Sequence, residues 1–212
     1  MDVLHEKLTK IKEIRYRMKK IMFNDRYGLT QAVIEGQKTM TRRLVPWALT
    51  EQWMEFVSDA PSVGGVYVHE SEKEFYEREA PRYKVGEVVA VAQSYNSFYD
   101  ETYNPVSFSA GAGWNNKMFV KPELMPHQVR ITGIKCERLY DISEADCLKE
   151  GVRVEFVRND VPRYYYLDFK RQIKVWFDTP REAFASLIDK VSGYGTWQRN
   201  PWVVAYEFEL VK

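Results

Sequence analysis

One lysine, two threonines and two arginines crowd into the eight residues Gly36-Gln37-Lys38-Thr39-Met40-Thr41-Arg42-Arg43. A threonine hydroxyl is a poor nucleophile at its own pKa and must hand its proton to an adjacent base. A lysine whose ammonium is destabilised by burial or by nearby cations is such a base, and Arg42 and Arg43 supply that charge. Backbone N–H groups of the turn at Gly36 are then candidates to hold an oxyanion. The spacing sets a condition. Along a regular strand Lys38 and Thr41 point to opposite faces, because side chains alternate with period two, so a turn or bulge is needed if they are to cooperate. The same residues fit an exposed basic loop that leads into a strand.

The elements that must position this segment follow from the surrounding pattern. Ile21-Met22-Phe23 reads as a short first strand and Leu29 to Glu35 as a helix that Gly36 ends. Val88 to Ala92 is an unbroken apolar run after the turn Lys84-Val85-Gly86-Glu87, which predicts a buried strand. Val129 to Leu139 alternates with a slip at Gly133, as a bulged strand would. Ser143 is an N-cap for a helix through Lys149 or Glu150, with Glu144 and Asp146 in its first turn and Gly151 beyond its end. Thr179-Pro180-Arg181-Glu182 opens a second helix with a cap, a first-turn proline and a reciprocal Glu; its stripe is Phe184, Leu187, Ile188 and Val191, and Gly193 stops it. The chain closes on a half-exposed strand in which Tyr206, Phe208 and Leu210 alternate with Glu207 and Glu209. Asn115-Asn116-Lys117-Met118 reads as a polar turn. Strands parted by capped helices, without regular βαβ alternation, predict an α+β fold on a mixed or antiparallel sheet curled into a barrel.

The totals bound the function. The chain has 212 residues and a net charge of +1. That length suits one domain, here residues 21–212 with an insertion at about 50–82, preceded by a basic arm over residues 1–20. The arm carries +4 and the other 192 residues −3, so the body is no general polyanion binder. Its loosely helical pattern fits a frayed or upstream extension with Met18 as an internal start, docking on the body, or a nucleic-acid arm. Cys136 and Cys147 have no CxxC or His-spaced partner and read as buried reduced thiols. His5, His69 and His127 have no ligand spacing, so no metal site is expected. No GxGxxG or P-loop is present, and no cofactor is expected. No apolar run approaches a membrane span, and the N-terminus lacks an apolar signal core, so a cytoplasmic protein is expected.

Gly36-Gln37-Lys38-Thr39-Met40-Thr41-Arg42-Arg43 resembles the signature of ASCH domains, a PUA-like β-barrel family. Tyr83-Lys84-Val85-Gly86-Glu87-Val88-Val89, Leu139-Tyr140-Asp141-Ile142-Ser143-Glu144 and Tyr206-Glu207-Phe208 resemble further family segments in the family's order. Gly195-Thr196-Trp197 and Asn200-Pro201-Trp202 resemble the end of longer, phage-associated members. The resemblance spans residues 21–44, 83–95, 127–152 and 196–211. It implies RNA binding or nucleoside chemistry. One small bacterial member removes acetyl from acetylcytidine with Lys, Thr and Glu; Lys38 and Thr41 match the first two, and Glu150 takes the acid's place when the helix from Leu139 is aligned without a gap. The resemblance thus implies Lys38, Thr41 and Glu150 as catalytic residues. Gly36, Thr39, Arg42 and Arg43 would contact a ligand, with Tyr95, Trp197 and Trp202 as aromatic platforms near the barrel mouth. Two readings follow: a domain binding RNA or a modified nucleoside, or an amidohydrolase acting on such a nucleoside. A Lys38–Glu150 ion pair with Thr41 bonded to backbone accounts for the same residues without chemistry.

Overall fold

The computed structural model describes residues 18–59, 62–63, 66–67, 70–98, 111–157 and 160–211. The basic arm therefore lies outside the described residues except for its last three. The class is α+β, as the alternation of short strands and capped helices predicts.

A mixed sheet forms the centre. Its strands are β1 (Lys20–Ile21), β2 (Met40–Leu44), β5 (Val88–Val91), β6 (Gln128–Arg138) and β10 (Trp202–Val211), in the order β1-β5-β6-β10-β2. Strand β10 is the spine, antiparallel to β2 on one side and to β6 on the other. The expected slip in β6 is real. Glu207 pairs with Gly133 and Phe208 with Ile131, which leaves Thr132 as the extra residue of a bulge. The two ends of the sheet approach each other, since Arg43 Nη2 of β2 donates to the carbonyl of Met22, the residue after β1.

Helix α1 (Leu29–Ile34) leads to Gly36, whose φ of +71° suits a residue without a Cβ. Helix α2 (Trp47–Asp59), the short pair β3 (Ser62–Val63) and β4 (Val66–Tyr67), and helix α3 (Glu72–Glu79) occupy the stretch that the sequence leaves undefined. Helix α4 (Glu144–Lys149) is capped by the Ser143 hydroxyl, which accepts from Asp146 N–H. Helix α5 (Pro180–Ser192) carries a full capping box between Thr179 and Glu182. Its Ala183, Phe184, Leu187 and Ile188 are buried, the last three contributing roughly 1.5–3 kcal/mol each. Val191 leaves the stripe and is 36% exposed. Helix α6 (Thr196–Arg199) turns the chain into β10.

One whole layer goes unread in the sequence. Strands β7 (Arg153–Val157), β8 (Val161–Asp168) and β9 (Ile173–Phe177) form a separate antiparallel sheet. It reaches the core through Tyr166, which packs edge-on to Tyr27 at 5.8 Å and beside Phe177 at 5.8 Å. Among the described residues no helix is long and apolar enough to cross a membrane.

Candidate functional site

Helix α1 ends at Gly36 and the chain folds back before β2 begins at Met40. The N–H groups of Gln37 and Lys38 both donate to Ala32 O, and Thr39 N–H donates to Lys149 O. Lys38 thus precedes the strand instead of belonging to it, which meets the condition that strand alternation imposed. The same bonds overturn the expected oxyanion site. Gly36 N–H donates to Val33 O, so the turn's donors are already spent inside the fold.

Lys38 Nζ donates to Glu150 Oε2 at 2.7 Å and to the Glu150 carbonyl at 2.6 Å. The Lys38 side chain is 2% exposed and that of Glu150 6%. Glu150 follows the last turn of α4, and Gly151 after it has a φ of +104°. A Cβ at Gly151 would lie 3.0 Å from Leu29 and 3.6 Å from the Lys38 stem, so glycine leaves the space that Lys38 crosses.

Arg42 completes the floor. Across β10, Arg42 pairs with Ala205, which pairs with Lys135, so Arg42, Lys135 and Glu137 share one face of the sheet. Helix α4 lays Asp146 and Glu150 over that face. Arg42 donates to Glu150 Oε1 at 3.1 Å, to Glu137 Oε1 at 2.6 and 2.8 Å, and to Asp146 Oδ2 at 2.9 Å. Lys135 reaches Glu137 at 3.0 Å and Asp146 at 3.3 Å. Burial pushes the Lys38 ammonium below its ordinary pKa, with Arg43 and Arg42 adding to the push and Glu150 opposing it. Burial works against the Arg42 charge too, but Glu150 and Glu137 outweigh it and hold the guanidinium firmly protonated.

Beside this set, along β2, lies a cleft of about 300 Å³. Lys38, Thr41, Arg42 and Glu150 line it together with Arg43, while Phe184, Leu187, Ile188 and Val191 of α5 form an apolar wall and Phe23 with Leu29 the other. The α5 stripe that reads as core in the sequence is therefore also a wall of the cleft, and half-exposed Val191 marks where. Thr41 is buried, yet its hydroxyl forms no hydrogen bond to Lys38, to Glu150 or to any other described residue. It faces the cleft unengaged. Phe23 is the aromatic surface that sequence reasoning missed, with Lys38 Nζ 5.8 Å and the Arg43 guanidinium 5.7 Å from its ring centre. A lone Phe after a short strand carries no signal to single it out.

The three expected platforms sit elsewhere. Tyr95 is buried in a smaller apolar cluster, its hydroxyl accepting from Lys121 N–H at 2.9 Å. Trp197 packs on Tyr140 at 4.9 Å and under the Arg181 guanidinium at 5.0 Å. Trp202 packs on Tyr76 at 5.7 Å, with Arg138 over it at 4.7 Å. None of the three lines the cleft, because each is absorbed by packing. Thr39 contributes its backbone, donating to Lys149 and accepting from Phe208 N–H. Among the described residues no group of His, Cys, Asp and Glu could hold a metal ion.

The sequence matches no family model and no curated protein. Two solved structures are similar to the chain. An ASCH domain from Lactobacillus crispatus JV V101 is 12% identical, with 98% of this chain and 90% of that one covered at a TM-score of 0.34. A DUF984 protein from Enterococcus faecalis V583 is 14% identical, with 99% and 86% covered at a TM-score of 0.38. Likenesses of this order transfer no activity, and the site's chemistry stands on its own geometry.

Proposed function

We propose that this protein recognises one modified nucleoside, or a unit of that size, in the cleft above Lys38, Thr41 and Glu150. The observation that carries the reading is a small cleft whose floor cations are already matched. Its volume lies at the lower end of small-molecule pockets, which run from about 300 to 1,000 Å³. Long RNA instead calls for a run of cations free to neutralise phosphates. Here Arg42 is committed to three carboxylates and Lys38 to Glu150. The apolar wall of α5 and the Phe23 ring suit the faces of a base, and the free Thr41 hydroxyl suits a polar exocyclic group. Resemblance to ASCH domains points to the same ligand class. A cytoplasmic setting is part of the proposal, and buried free Cys136 and Cys147 agree with it.

A second reading, hydrolysis of an amide on that nucleoside, rests on Lys38, Thr41 and Glu150 lining one cleft, although Thr41 does not touch the other two. The short contact between Lys38 Nζ and Glu150 Oε2 is a path for one proton, and burial of Lys38 favours the neutral amine. With the proton on Glu150, the amine takes the Thr41 proton as Oγ1 bonds to the acyl carbon. Glu150 then protonates the departing nitrogen, which restores the ion pair and leaves an acyl ester on Thr41. Water cleaves that ester by the same exchange in reverse. Thr41 and Lys38 must close to hydrogen-bonding distance on ligand binding, as catalytic contacts often do.

Calorimetric titration with acetylcytidine, and with a single-stranded RNA at about 50 and 200 mM salt, tests the first reading. Saturable acetylcytidine binding with little RNA affinity is expected; tight, strongly salt-dependent RNA binding would overturn it. Chromatographic detection of cytidine and acetate tests the second.

A further inference from the structure

A second cleft, of about 260 Å³, adjoins the first, and Arg43 and Leu44 line both. Across β10, Arg43 pairs with Val204 and Thr41 with Tyr206, so these four residues share one sheet face and carry it from one cleft into the next. The charge in the second cleft is unlike that in the first. Lys20, Arg43 and Arg82 line it, with no Asp or Glu among its lining residues. Among the described residues neither Arg43 nor Arg82 forms an ion pair with a carboxylate. Lys20 Nζ is spent on the carbonyls of Met118 at 2.6 Å and Val120 at 2.8 Å. Arg43 is held by Met22 O and stands over Phe23, which leaves other N–H groups of its fork unbonded. Arg82 stands over Tyr83 at 5.8 Å. Tyr206 Oη accepts Arg82 N–H at 2.8 Å and keeps its own proton to donate.

We propose that this second cleft is an anion compartment that takes the phosphate of a nucleotide whose base occupies the first cleft. The proposal rests on the nucleoside reading of that first cleft and narrows its ligand to a nucleoside monophosphate. Two guanidiniums and a phenol converge on a space without carboxylates, and planar guanidinium forks match phosphate oxygens. Burial and the Arg82 charge both push the Arg43 pKa down, and an anion between them relieves that repulsion. Arg43 would touch both halves of the ligand.

Calorimetric titration of the full chain and of Arg82→Gln with acetylcytidine, its 5′-monophosphate and inorganic phosphate tests this. The Arg82 side chain is exposed and stands over Tyr83, so Arg82→Gln is expected to keep the fold, with matching melting curves as the check. The monophosphate is expected to bind the natural protein about tenfold or more tighter than the nucleoside, an advantage lost in Arg82→Gln while nucleoside affinity is unchanged. Equal affinity for nucleoside and monophosphate in the natural protein overturns the proposal and leaves the nucleoside reading intact. An advantage that survives in Arg82→Gln also overturns it. Binding of inorganic phosphate, lost in Arg82→Gln, with no binding of the nucleoside or its monophosphate overturns both the nucleoside reading and this proposal.

Discussion

Lys38 and Glu150, 112 positions apart, are joined twice, because one ammonium grips both the carboxylate and the backbone carbonyl of the same residue. The fold-back after α1 and the end of α4 are thereby clasped at a single point. Arg42 holds the other oxygen of that carboxylate, so Glu150 cannot turn without breaking a second charged contact.

Removing one member of this buried set should cost more than a surface ion pair would. Glu150→Gln leaves Lys38 without its carboxylate, and a loss of about 3 kcal/mol is expected. A combined Lys38→Met and Glu150→Leu change should recover part of it, since apolar groups replace the pair while Arg42 keeps Glu137 and Asp146. Urea unfolding with an unchanged slope is the measurement. A single-variant loss below about 1 kcal/mol would mean the pair is screened as an exposed one is.

Thr41→Val should leave stability nearly untouched, within about 0.5 kcal/mol, because the hydroxyl bonds no described residue. Acetylcytidine binding or turnover should fall sharply. Thermal unfolding and calorimetry on the same sample separate the two effects; a large loss of stability would show that the hydroxyl is structural.

Acid should weaken the floor of the cleft. Burial alone would raise the Asp146 pKa, but hydrogen bonds from Arg42 and Lys135 outweigh it and hold the carboxyl below its ordinary 3.8. A depressed carboxyl contributes stability that is present above its unfolded value and lost as pH falls below it. The urea midpoint of the natural protein should therefore drop more steeply than that of Asp146→Asn between about pH 4 and pH 3. Parallel slopes would remove Asp146 from the account.

Burial pushes the Cys136 thiol up to about 11 and the Cys147 thiol up to about 12. Both should resist a disulfide reagent at pH 8 in the folded protein and react together on unfolding. Because the folded values are raised, this contribution to stability is present below the ordinary thiol value of 9.0 and is lost as pH climbs beyond it. Rapid labelling of the native protein would contradict their burial.

What the sequence shows and what it hides divide along the range of the forces. Helix α5 is legible because Thr179, Pro180, Glu182 and Gly193 all act within a few residues of the backbone they cap. The bulge at Thr132 shows for the same reason, as a break in alternation beside Gly133. The set around Arg42 does not, since Glu137, Asp146 and Glu150 arrive from 95 to 108 positions away. Sequence offers Arg42 as a ligand cation, whereas folding spends it on the floor. Strands β7 to β9 escape because β7 and β9 are mostly exposed and lack a clean two-residue period. Trp197 and Trp202 mislead for the opposite reason: large aromatics satisfy packing and stacking equally well in a sequence.

Counting the ionic groups of the network beside the first cleft gives Lys38, Arg42, Lys135 and Lys149 against Glu137, Asp146, Glu150 and Glu207. Four against four cancels, so that network projects little field into solvent. For the proposed nucleotide, Arg43, which lines both clefts, and Arg82 in the second would supply the guiding charge, with selection by shape only after arrival. Association rates should therefore track ionic strength through those two arginines, while dissociation, governed by the dry neutral floor, should scarcely respond to salt.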